Sequence, residues 1–552
     1  MPRAHIELDK RAVIAPVQRR TFGAFVEHLG RCVYTGLYEP GHPTANEDGF
    51  RMDVVELVRE LGSTTVRYPG GNFVSGFRWE DSVGPRDKRP VRRDLAWHSL
   101  ESNQVGLDEF ARWLKLTGSE LMLAVNLGTR GILPALDLLE YANHPSGTAL
   151  SDLRIANGTP QPHNVRMWCL GNEMDGPWQQ GFMTADDYGK LAARTAAAMR
   201  MADKDLELIV CGSSGSSMPT FGDWERTVLE HSYEHVDYVS CHAYYQELDG
   251  DLGSFLASAL DMEFFIDAVV ATADHVGHKK RSEKKMQLSF DEWNVWYLKE
   301  HQEAAEVNDE WSYSPRLLED VYTVADAVVV GSLLITLLRH SDRVTSASLA
   351  QLVNVIAPIM TEPGGPAWRQ TTFFPFSITS RLASGEVIRP LIAAPTYDTA
   401  RHGRAPVIDA VATVDDGRAA VFLVNRDLRE TTQVTIDVRS LGCTRISEAV
   451  TLADADVYAK NTLAGQDRVK PAANASAALA DGVLTIELPP VSWTAAALTY
   501  LACSPRTSGP APPPAPPRSL VAEDALSGAA WPHRAAAETR GPRPWLHGQG
   551  IY

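Results

Sequence analysis

The stretch Leu121–Leu127 reads LMLAVNL, an apolar run that is interrupted only by the amide of Asn126. Leu206–Cys211, LELIVC, has the same character further along the chain. Neither run alternates between apolar and polar residues for long. Strands that are buried on both faces have this composition, and they occur in parallel sheets whose faces are covered by helices. The two runs therefore predict a parallel sheet with helices packed around it.

Eight strand-like runs lie between residues 20 and 375, separated by segments with helical periodicity. The strand-like runs are Thr21–His28, Thr64–Pro69, Leu121–Leu127, Val165–Leu170, Leu206–Cys211, Val236–His242, Met286–Phe290 and Val344–Leu352. The predicted helices between them include Phe50–Leu61, Leu107–Leu116, Thr184–Ala202, Leu260–Ala273 and Leu317–Leu338. Eight strands that alternate with helices predict a (β/α)8 TIM barrel over residues 19–375. An open doubly wound sheet is the alternative.

The segment 376–502 has a different pattern, with short β-rich runs separated by turn signals such as Asp415-Asp416-Gly417. Its runs are Val407–Val414, Arg418–Asn425, Thr432–Val438, Ile446–Leu452 and Val483–Leu488. They predict an antiparallel β-sandwich, to which residues 1–18 add an N-terminal strand. The tail, residues 503–552, contains PAPPPAPP at Pro510–Pro517 and is predicted to be disordered.

Composition excludes several classes of function. The 552 residues carry 52 Lys and Arg against 69 Asp and Glu, a net charge of −17, so binding to nucleic acid or to an anionic membrane is not expected. No apolar run reaches the roughly 18 residues of a membrane span. The N-terminus lacks the apolar core of a secretion signal, which predicts a cytoplasmic location. The six cysteines form no CxxC pair, so neither a disulfide framework nor a zinc site is predicted.

Polar residues follow the predicted strands at the end where TIM barrels carry their active sites. They are Glu27 and His28, the segment Arg67–Asn72, Asn126, Asn172 and Glu173, His242 and Tyr244, Asp291 and Glu292, and Gln351 and Asn354. A ring of carboxylates, amides and hydroxyls suits glycoside hydrolysis, which needs two carboxyl groups beside the scissile bond. Glu173 and Glu292 are the best pair. Asp291 beside Glu292 leaves that assignment open, and Glu27 or Glu173 taken alone also fits a structural carboxylate.

Four segments of this ring resemble one known family. They are GAFVEHLG at 23–30, RYPGGNF at 67–73, GNEMDGPW at 171–178 and DEWN at 291–294. Together they resemble family 51 of the glycoside hydrolases, which are intracellular α-L-arabinofuranosidases of the retaining clan A. The resemblance runs from about residue 5 to about residue 500, and the tail lies outside it.

The resemblance implies a role for each residue of the ring. Glu173 would be the general acid/base and Glu292 the nucleophile. The sugar-binding roles would fall to Asn172 at the 2-hydroxyl, Glu27 and Asn72 at other hydroxyls, Arg67 and Tyr244 at the nucleophile, His242 beside the acid/base, and Gln351, Trp97 and Trp296 along the pocket wall. Trp97, judged by residue type alone, fits a buried core position equally well.

The resemblance further implies an exo-acting enzyme that releases terminal α-L-arabinofuranosyl residues from arabinoxylan or arabinan without a metal or cofactor. It also implies a homo-oligomer, commonly a hexamer. A xylosidase or endo-glucanase of the same clan and a catalytically silent carbohydrate-binding protein are the alternatives. The HSYEH segment at His231–His235 matches a zinc-peptidase pattern, but it runs directly into the sixth predicted strand, so no metal site is predicted there.

Overall fold

The computed structural model describes residues 1–299 and 310–500. Eight strands close into a barrel, and every neighbouring pair is parallel. In chain order they are Gly23–Phe25, Thr65–Tyr68, Glu120–Val125, Met167–Leu170, Glu207–Val210, Tyr238–Tyr245, Gln287–Val295 and Val344–Ala350. The predicted (β/α)8 barrel is confirmed, and the doubly wound alternative is wrong. The predicted disorder of 503–552 concerns residues outside the described part.

The sixth and seventh barrel strands continue beyond their predicted ends at His242 and Phe290. The sixth and seventh strands remain paired over this extension, with His242 opposite Glu292 and Tyr244 opposite Asn294. These polar side chains therefore belong to the strands themselves, where the barrel wall holds them. The sequence pattern missed this extension because buried polar residues interrupt the apolar run that indicates a strand.

Ten helices of at least five residues occur in the described ranges. They span Met52–Leu61, Leu107–Thr117, Ile132–Asn143, Ala149–Ala156, Ala185–Ala202, Asp223–Ser232, Leu252–Leu256, Ala259–Lys279, Val324–Arg339 and Phe373–Leu382. The first shows why the periodic pattern works: Val54, Val55, Val58 and Leu61 are all buried, and Gly62, at φ 78°, ends the helix in the left-handed region. None of the helices described is long and apolar enough to cross a membrane.

Val324–Arg339 begins seven residues later than the predicted start at Leu317 (324 − 317). The Thr323 side chain accepts a hydrogen bond from the backbone N–H of Asp326, and a capping box fixes the helix start there. Nearly every residue of this helix is buried, because it lies between the barrel and the C-terminal sheet. At its end Arg339 pairs with Asp409 of that sheet, and Arg426 holds the other oxygen of the same carboxylate.

The C-terminal domain is one ten-stranded sheet that curls around its own apolar core. Its strands are Arg3–Pro16, Glu386–Ala393, Ile408–Asp415, Arg418–Asn425, Thr432–Asp437, Arg445–Leu452, Ala472–Ala473, Ala478–Ala480, Val483–Leu488 and Ser492–Thr499. Leu484 and Leu498 come from strands far apart in the sheet order, yet they share this core, as in a sandwich. Smaller sheets pair Arg92–Asp94, Ser99–Glu101 and Ser312–Tyr313, Ile359–Thr361 with Ala367–Arg369, and Thr396–Thr399 with Gly403–Pro406.

Two features of this domain differ from the prediction. The N-terminal strand pairs in parallel with Thr432–Asp437, so the sheet is not purely antiparallel. No short hairpin joins these two strands, and their relative direction is therefore not fixed by a turn. The predicted boundary after residue 375 falls inside the helix Phe373–Leu382, because Phe376 packs against Phe22 and Trp293 of the barrel. The strands of the sheet resume at Glu386.

Candidate active site

Two carboxylates meet over the open end of the barrel. Glu173 follows the fourth barrel strand, and Glu292 lies in the seventh. One oxygen of each and a ring nitrogen of His242 all lie within 4.8 Å of one another. Retaining glycosidases place their carboxyl groups about 5–5.5 Å apart, whereas inverting enzymes leave about 6.5–9.5 Å for a water molecule. The spacing of this pair therefore fits a retaining mechanism.

Glu292 is held on both of its oxygens. Arg67 donates from Nη1 to Oε1 at 2.7 Å, and the Tyr244 hydroxyl donates to Oε2 at 2.7 Å. The second guanidinium nitrogen of Arg67 donates to Oδ1 of Asn172 at 2.6 Å. Hydrogen bonds between charged partners are short and strong, so these contacts fix the position of the Glu292 carboxylate.

His242 lies between Glu173 and Asp291. Its Nδ1 is 2.8 Å from Oε1 of Glu173, and its Nε2 is 3.0 Å from Oδ1 of Asp291. Burial alone would lower the pKa of His242, but the charge of Glu292 and hydrogen bonds to Asp291 and Glu173 raise it to about 10. The ring is therefore an imidazolium at neutral pH and donates from both nitrogens.

Asp291 and Glu292 are neighbours in sequence but have different surroundings. The pairing of the seventh strand with the sixth shifts register between Ser289 and Glu292, as at a β-bulge, which re-aims side chains. Asp291 faces His242, whereas Glu292 faces Arg67 and Tyr244. Burial acts to raise the pKa of Asp291, but the charge of Arg67 and the hydrogen bond from His242 outweigh it and lower the pKa.

Glu27 forms the centre of a second hydrogen-bonded group. Its Oε1 accepts from the Trp97 indole at 2.9 Å and from the Phe73 backbone at 2.8 Å, and its Oε2 accepts from Gln351 at 3.3 Å. Burial raises the pKa of Glu27 to about 8, although the hydrogen bond from the Phe73 N–H acts to lower it. The charge of Glu292 adds to the rise. A Cβ on Gly71 would lie 2.4 Å from Oε2, so this approach requires glycine.

The remaining predicted residues lie around these two groups. The amide nitrogen of Asn172 donates to Oδ1 of Asn72 and to Oε1 of Gln179, both at 3.3 Å. Trp296 packs edge-on against Tyr244, with ring centres 5.0 Å apart, and its buried indole nitrogen has no hydrogen-bond partner among the described residues. All the residues predicted to form the site are thus brought to one end of the barrel. Their individual roles stay predictions.

Some polar residues of the sequence pattern have structural tasks instead. Asn126 bonds the backbone of Phe77 and caps its own loop, and Asn354 bonds the backbone of Arg31. His231 lies near the end of the helix Asp223–Ser232 and bonds Asp186, while His235 follows that helix. The two histidines therefore share no helix face on which to bind zinc.

Sequence reasoning assigned no role to Trp178, whose Nε1 donates to Oε2 of Glu173 at 2.6 Å. It also missed Asp291 as the partner of His242 and Gln179 as a partner of Asn172. The only signal for Trp178 was its place in the quoted motif, five residues after Glu173 (178 − 173). No spacing rule links the other two to their partners.

Two family models match the chain: "Alpha-L-arabinofuranosidase 1 domain" over residues 57–251 and "Alpha-L-arabinofuranosidase C-terminal domain" over residues 291–492. An intracellular exo-α-(1→5)-L-arabinofuranosidase of Streptomyces lividans is 59% identical over 89% of this chain and 75% of its own length. A solved family 51 α-L-arabinofuranosidase from Bifidobacterium longum, 50% identical, aligns with a TM-score of 0.87 over 90% of this chain and 100% of its own. The chain belongs to glycoside hydrolase family 51.

Two further relatives extend the comparison. An exo-α-(1→6)-L-arabinofuranosidase of Bifidobacterium longum is 57% identical over 89% of this chain and 96% of its own length. The arabinose complex of the Thermotoga maritima α-L-arabinofuranosidase aligns with a TM-score of 0.80 at 31% identity, over 90% of this chain and 100% of its own. The two relatives with the highest quoted identities, at 59% and 57%, carry different linkages in their names.

Proposed function

We propose that this family 51 chain is a retaining, exo-acting α-L-arabinofuranosidase that hydrolyses terminal non-reducing α-L-arabinofuranosyl residues. The observation that carries the proposal is the pairing of Glu173 with Glu292, whose nearest oxygens are within 4.8 Å. Arg67 and Tyr244 each donate a hydrogen bond to one oxygen of the second carboxylate. Both carboxylates accept two hydrogen bonds, but only Glu292 is bonded to an arginine, whereas one donor to Glu173 is the half-exposed Trp178. This difference supports Glu292 as the nucleophile and leaves Glu173 as the acid/base.

The reaction then proceeds in two displacements. In the first, Glu292 forms a bond to the anomeric carbon while the glycosidic bond breaks, and Glu173 gives its proton to the departing oxygen. In the second, Glu173 takes a proton from water, the water oxygen bonds the anomeric carbon, and Glu292 departs as a carboxylate. Two inversions at one carbon give net retention.

Sugar binding falls to the amides and carboxylate around the pair. Asn172 binds the 2-hydroxyl, while Glu27, Asn72 and Gln351 take other ring hydroxyls. Glu27, Asn172 and Gln351 are each nearly fully buried. Trp97 and Trp296 are half-buried walls of the sugar pocket. The names of two relatives, both of them exo-acting, support exo action.

The substrates we propose are arabinofuranosyl branches and ends of arabinoxylan and arabinan. The names of two relatives, exo-α-(1→5) and exo-α-(1→6), support an exo activity but point to different linkages. Initial rates on α-(1→5)-linked arabinobiose and on an α-(1→6)-linked arabinosyl oligosaccharide would rank the two linkages. Relatives named as intracellular support action inside the cell. We also propose a homo-oligomer, a hexamer, which light scattering after gel filtration would test.

The central experiment is hydrolysis of p-nitrophenyl α-L-arabinofuranoside, followed by NMR. We expect release of arabinose that first appears as the α-anomer, because two displacements retain configuration. First appearance of the β-anomer would contradict the retaining mechanism. Release from p-nitrophenyl β-D-xylopyranoside alone would favour a xylosidase. No release from a panel of aryl glycosides, with arabinose still bound, would favour a silent carbohydrate-binding protein. Activity should be unchanged after EDTA treatment.

A further inference from the structure

Trp178 contacts the proposed acid/base in a way that the two-step reaction leaves unexplained. Its indole nitrogen donates to Oε2 of Glu173 at 2.6 Å, while His242 donates to Oε1 at 2.8 Å. Both oxygens of Glu173 thus accept hydrogen bonds. The two donors differ in exposure: the His242 side chain is 2% exposed, whereas Trp178 is 50% exposed.

The loop after the fourth strand is shaped to bring the indole there. Glu173 has a left-handed backbone, with φ 42°, and the N–H of Gly176 closes a tight turn onto its carbonyl at 2.9 Å. A Cβ on Gly176 would lie 2.4 Å from Cε2 of Trp178. The ring therefore rests directly on the Gly176 backbone, and any larger residue at this position would displace it.

The hydrogen bonds around Glu173 suit only one of its two proposed tasks. Donors at a carboxylate favour its ionised form, and an indole N–H can only donate. The ionised form is the base that takes a proton from water in the second step. The first step instead needs a proton on the oxygen that faces the leaving group. A bond from Trp178 to Oε2 opposes that arrangement.

We infer that Trp178 is a positioning residue that holds Glu173 as a base and releases Oε2 when a leaving group enters. The inference rests on the proposed acid/base role of Glu173. In the first step the proton of Glu173 passes from Oε2 to the departing oxygen, which occupies the place that the indole N–H had held. Once the leaving group departs, the indole donates to Oε2 of the ionised Glu173. It is displaced again when Glu173 takes a proton from the attacking water, and that proton is the one given up in the next first step.

Other charged or titratable groups also face Glu173. They are His242 from the sixth strand, Glu292 from the seventh, Tyr244 on the sixth and Asp175 in the same loop. Burial raises the pKa of Asp175 to about 6, with a contribution from the charge of Glu173. All of them remain in a variant that removes only the indole contact. A change in the pH profile of such a variant therefore reports on Trp178.

Two variants remove the contact by different routes. Trp178→Phe keeps an aromatic ring but has no N–H, and Gly176→Ala keeps the indole but displaces it. The basic limb of kcat/KM, measured on an arabino-oligosaccharide, should move upward by about half to one pH unit in both, since a hydrogen bond to a charged group is lost. Phe182→Leu changes another exposed aromatic residue of the same loop and should leave the limb in place.

The result that overturns the inference is a basic limb in Trp178→Phe that coincides with that of the parent enzyme. Melting temperatures within a few degrees of the parent show that either variant is folded. Glu173→Gln distinguishes a failure of the acid/base role of Glu173 from a failure of the role of Trp178. If its residual activity keeps the basic limb, the acid/base role fails, and the inference fails with it. If the limb disappears there but is unmoved in both loop variants, only the role of Trp178 is wrong.

Discussion

The hydroxyl oxygen of Tyr244 lies 2.7 Å from Oε2 of Glu292, on the carboxylate oxygen that Arg67 does not hold. The two donors come from the sixth and second barrel strands, and the carboxylate comes from the seventh. Three strands therefore fix one side chain in place. A nucleophile held in this way loses little freedom on reaching the anomeric carbon, which lowers the barrier of the first step.

Tyr244→Phe tests this relationship because it removes one hydroxyl and leaves the ring against Trp296. We expect kcat/KM to fall by about ten- to a hundredfold, the range for a lost hydrogen bond to a charged group. The melting temperature should stay close to that of the parent. Steady-state kinetics on the p-nitrophenyl substrate measures the effect. An unchanged kcat/KM would show that Arg67 alone positions the nucleophile.

Glu173→Ala and Glu292→Ala should differ in their dependence on the leaving group. Without Glu173, turnover of a natural arabinoside should fall far more than attack on an activated aryl arabinoside, which needs no proton. Azide should restore turnover of the activated substrate by attacking the glycosyl-enzyme. Without Glu292 both substrates should be inert. Equal losses for both substrates in Glu173→Ala would argue against its role as the acid.

Asp291→Asn provides the comparison within the adjacent pair. It keeps the shape of the side chain that faces His242 but removes its charge. We expect reduced activity that azide does not rescue, since the nucleophile and the acid/base are both still present. A variant as inert as Glu292→Ala, with no detectable glycosyl-enzyme by mass spectrometry, would reopen the choice of nucleophile.

The pKa of His242, raised from 6.5 to about 10, predicts how stability depends on pH. The folded protein holds this proton more tightly than the unfolded chain does. The resulting stabilisation is complete below about pH 6.5 and is lost as pH rises toward 10. His242→Gln lacks it at every pH. The difference in melting temperature between parent and variant should therefore shrink from pH 6 to pH 10 in differential scanning fluorimetry, and a constant difference would contradict the assignment.

Sequence alone predicted the barrel because strands buried on both faces leave a direct signal, as LMLAVNL shows. It also listed the residues around Glu292, because barrel active sites collect at strand ends. The sequence did not reveal the hydrogen-bond partners of those residues. His242 meets Asp291 only because two strands align in one register, with a shift after Ser289. Trp178 reaches Glu173 through a turn that no periodicity encodes.

The same limits explain the errors at element boundaries. A side-chain cap at Thr323 starts a helix that apolar periodicity places at Leu317. The parallel pairing of the N-terminal strand depends on where the chain returns after the barrel, which is a long-range property of the fold. The local pattern of apolar residues indicates which residues are buried. Where each element ends depends instead on helix caps, on strand register and on how distant parts of the chain meet.

Truncation after Leu501 tests the prediction for the Pro-rich tail, which lies outside the described residues. We expect activity and melting temperature close to those of the full chain, because the tail composition offers little apolar surface to offset the entropy of ordering. The comparison needs only the two proteins purified in parallel. Loss of soluble protein on truncation would show that the tail packs against the rest of the molecule.

Glu27 presents the opposite pH dependence to a carboxylate in an ion pair. Burial raises its pKa from 4.5 to about 8, so the folded protein keeps a proton that the unfolded chain releases. The stability due to this group is complete below about pH 4.5 and is lost as pH rises through 8. Glu27→Gln removes the titration while keeping a carbonyl for the Trp97 and Phe73 donors.

The melting temperature of Glu27→Gln relative to the parent should therefore rise between pH 5 and pH 9. The new amide N–H₂ faces the amide of Gln351, whose Oε1 already accepts the Glu27 backbone N–H, and this contact adds a penalty that does not vary with pH. The quantity to measure is thus how the difference in melting temperature between variant and parent changes with pH, and not its absolute size at one pH. A difference that falls with rising pH would mean that the three donors outweigh burial and keep Glu27 ionised in the folded enzyme.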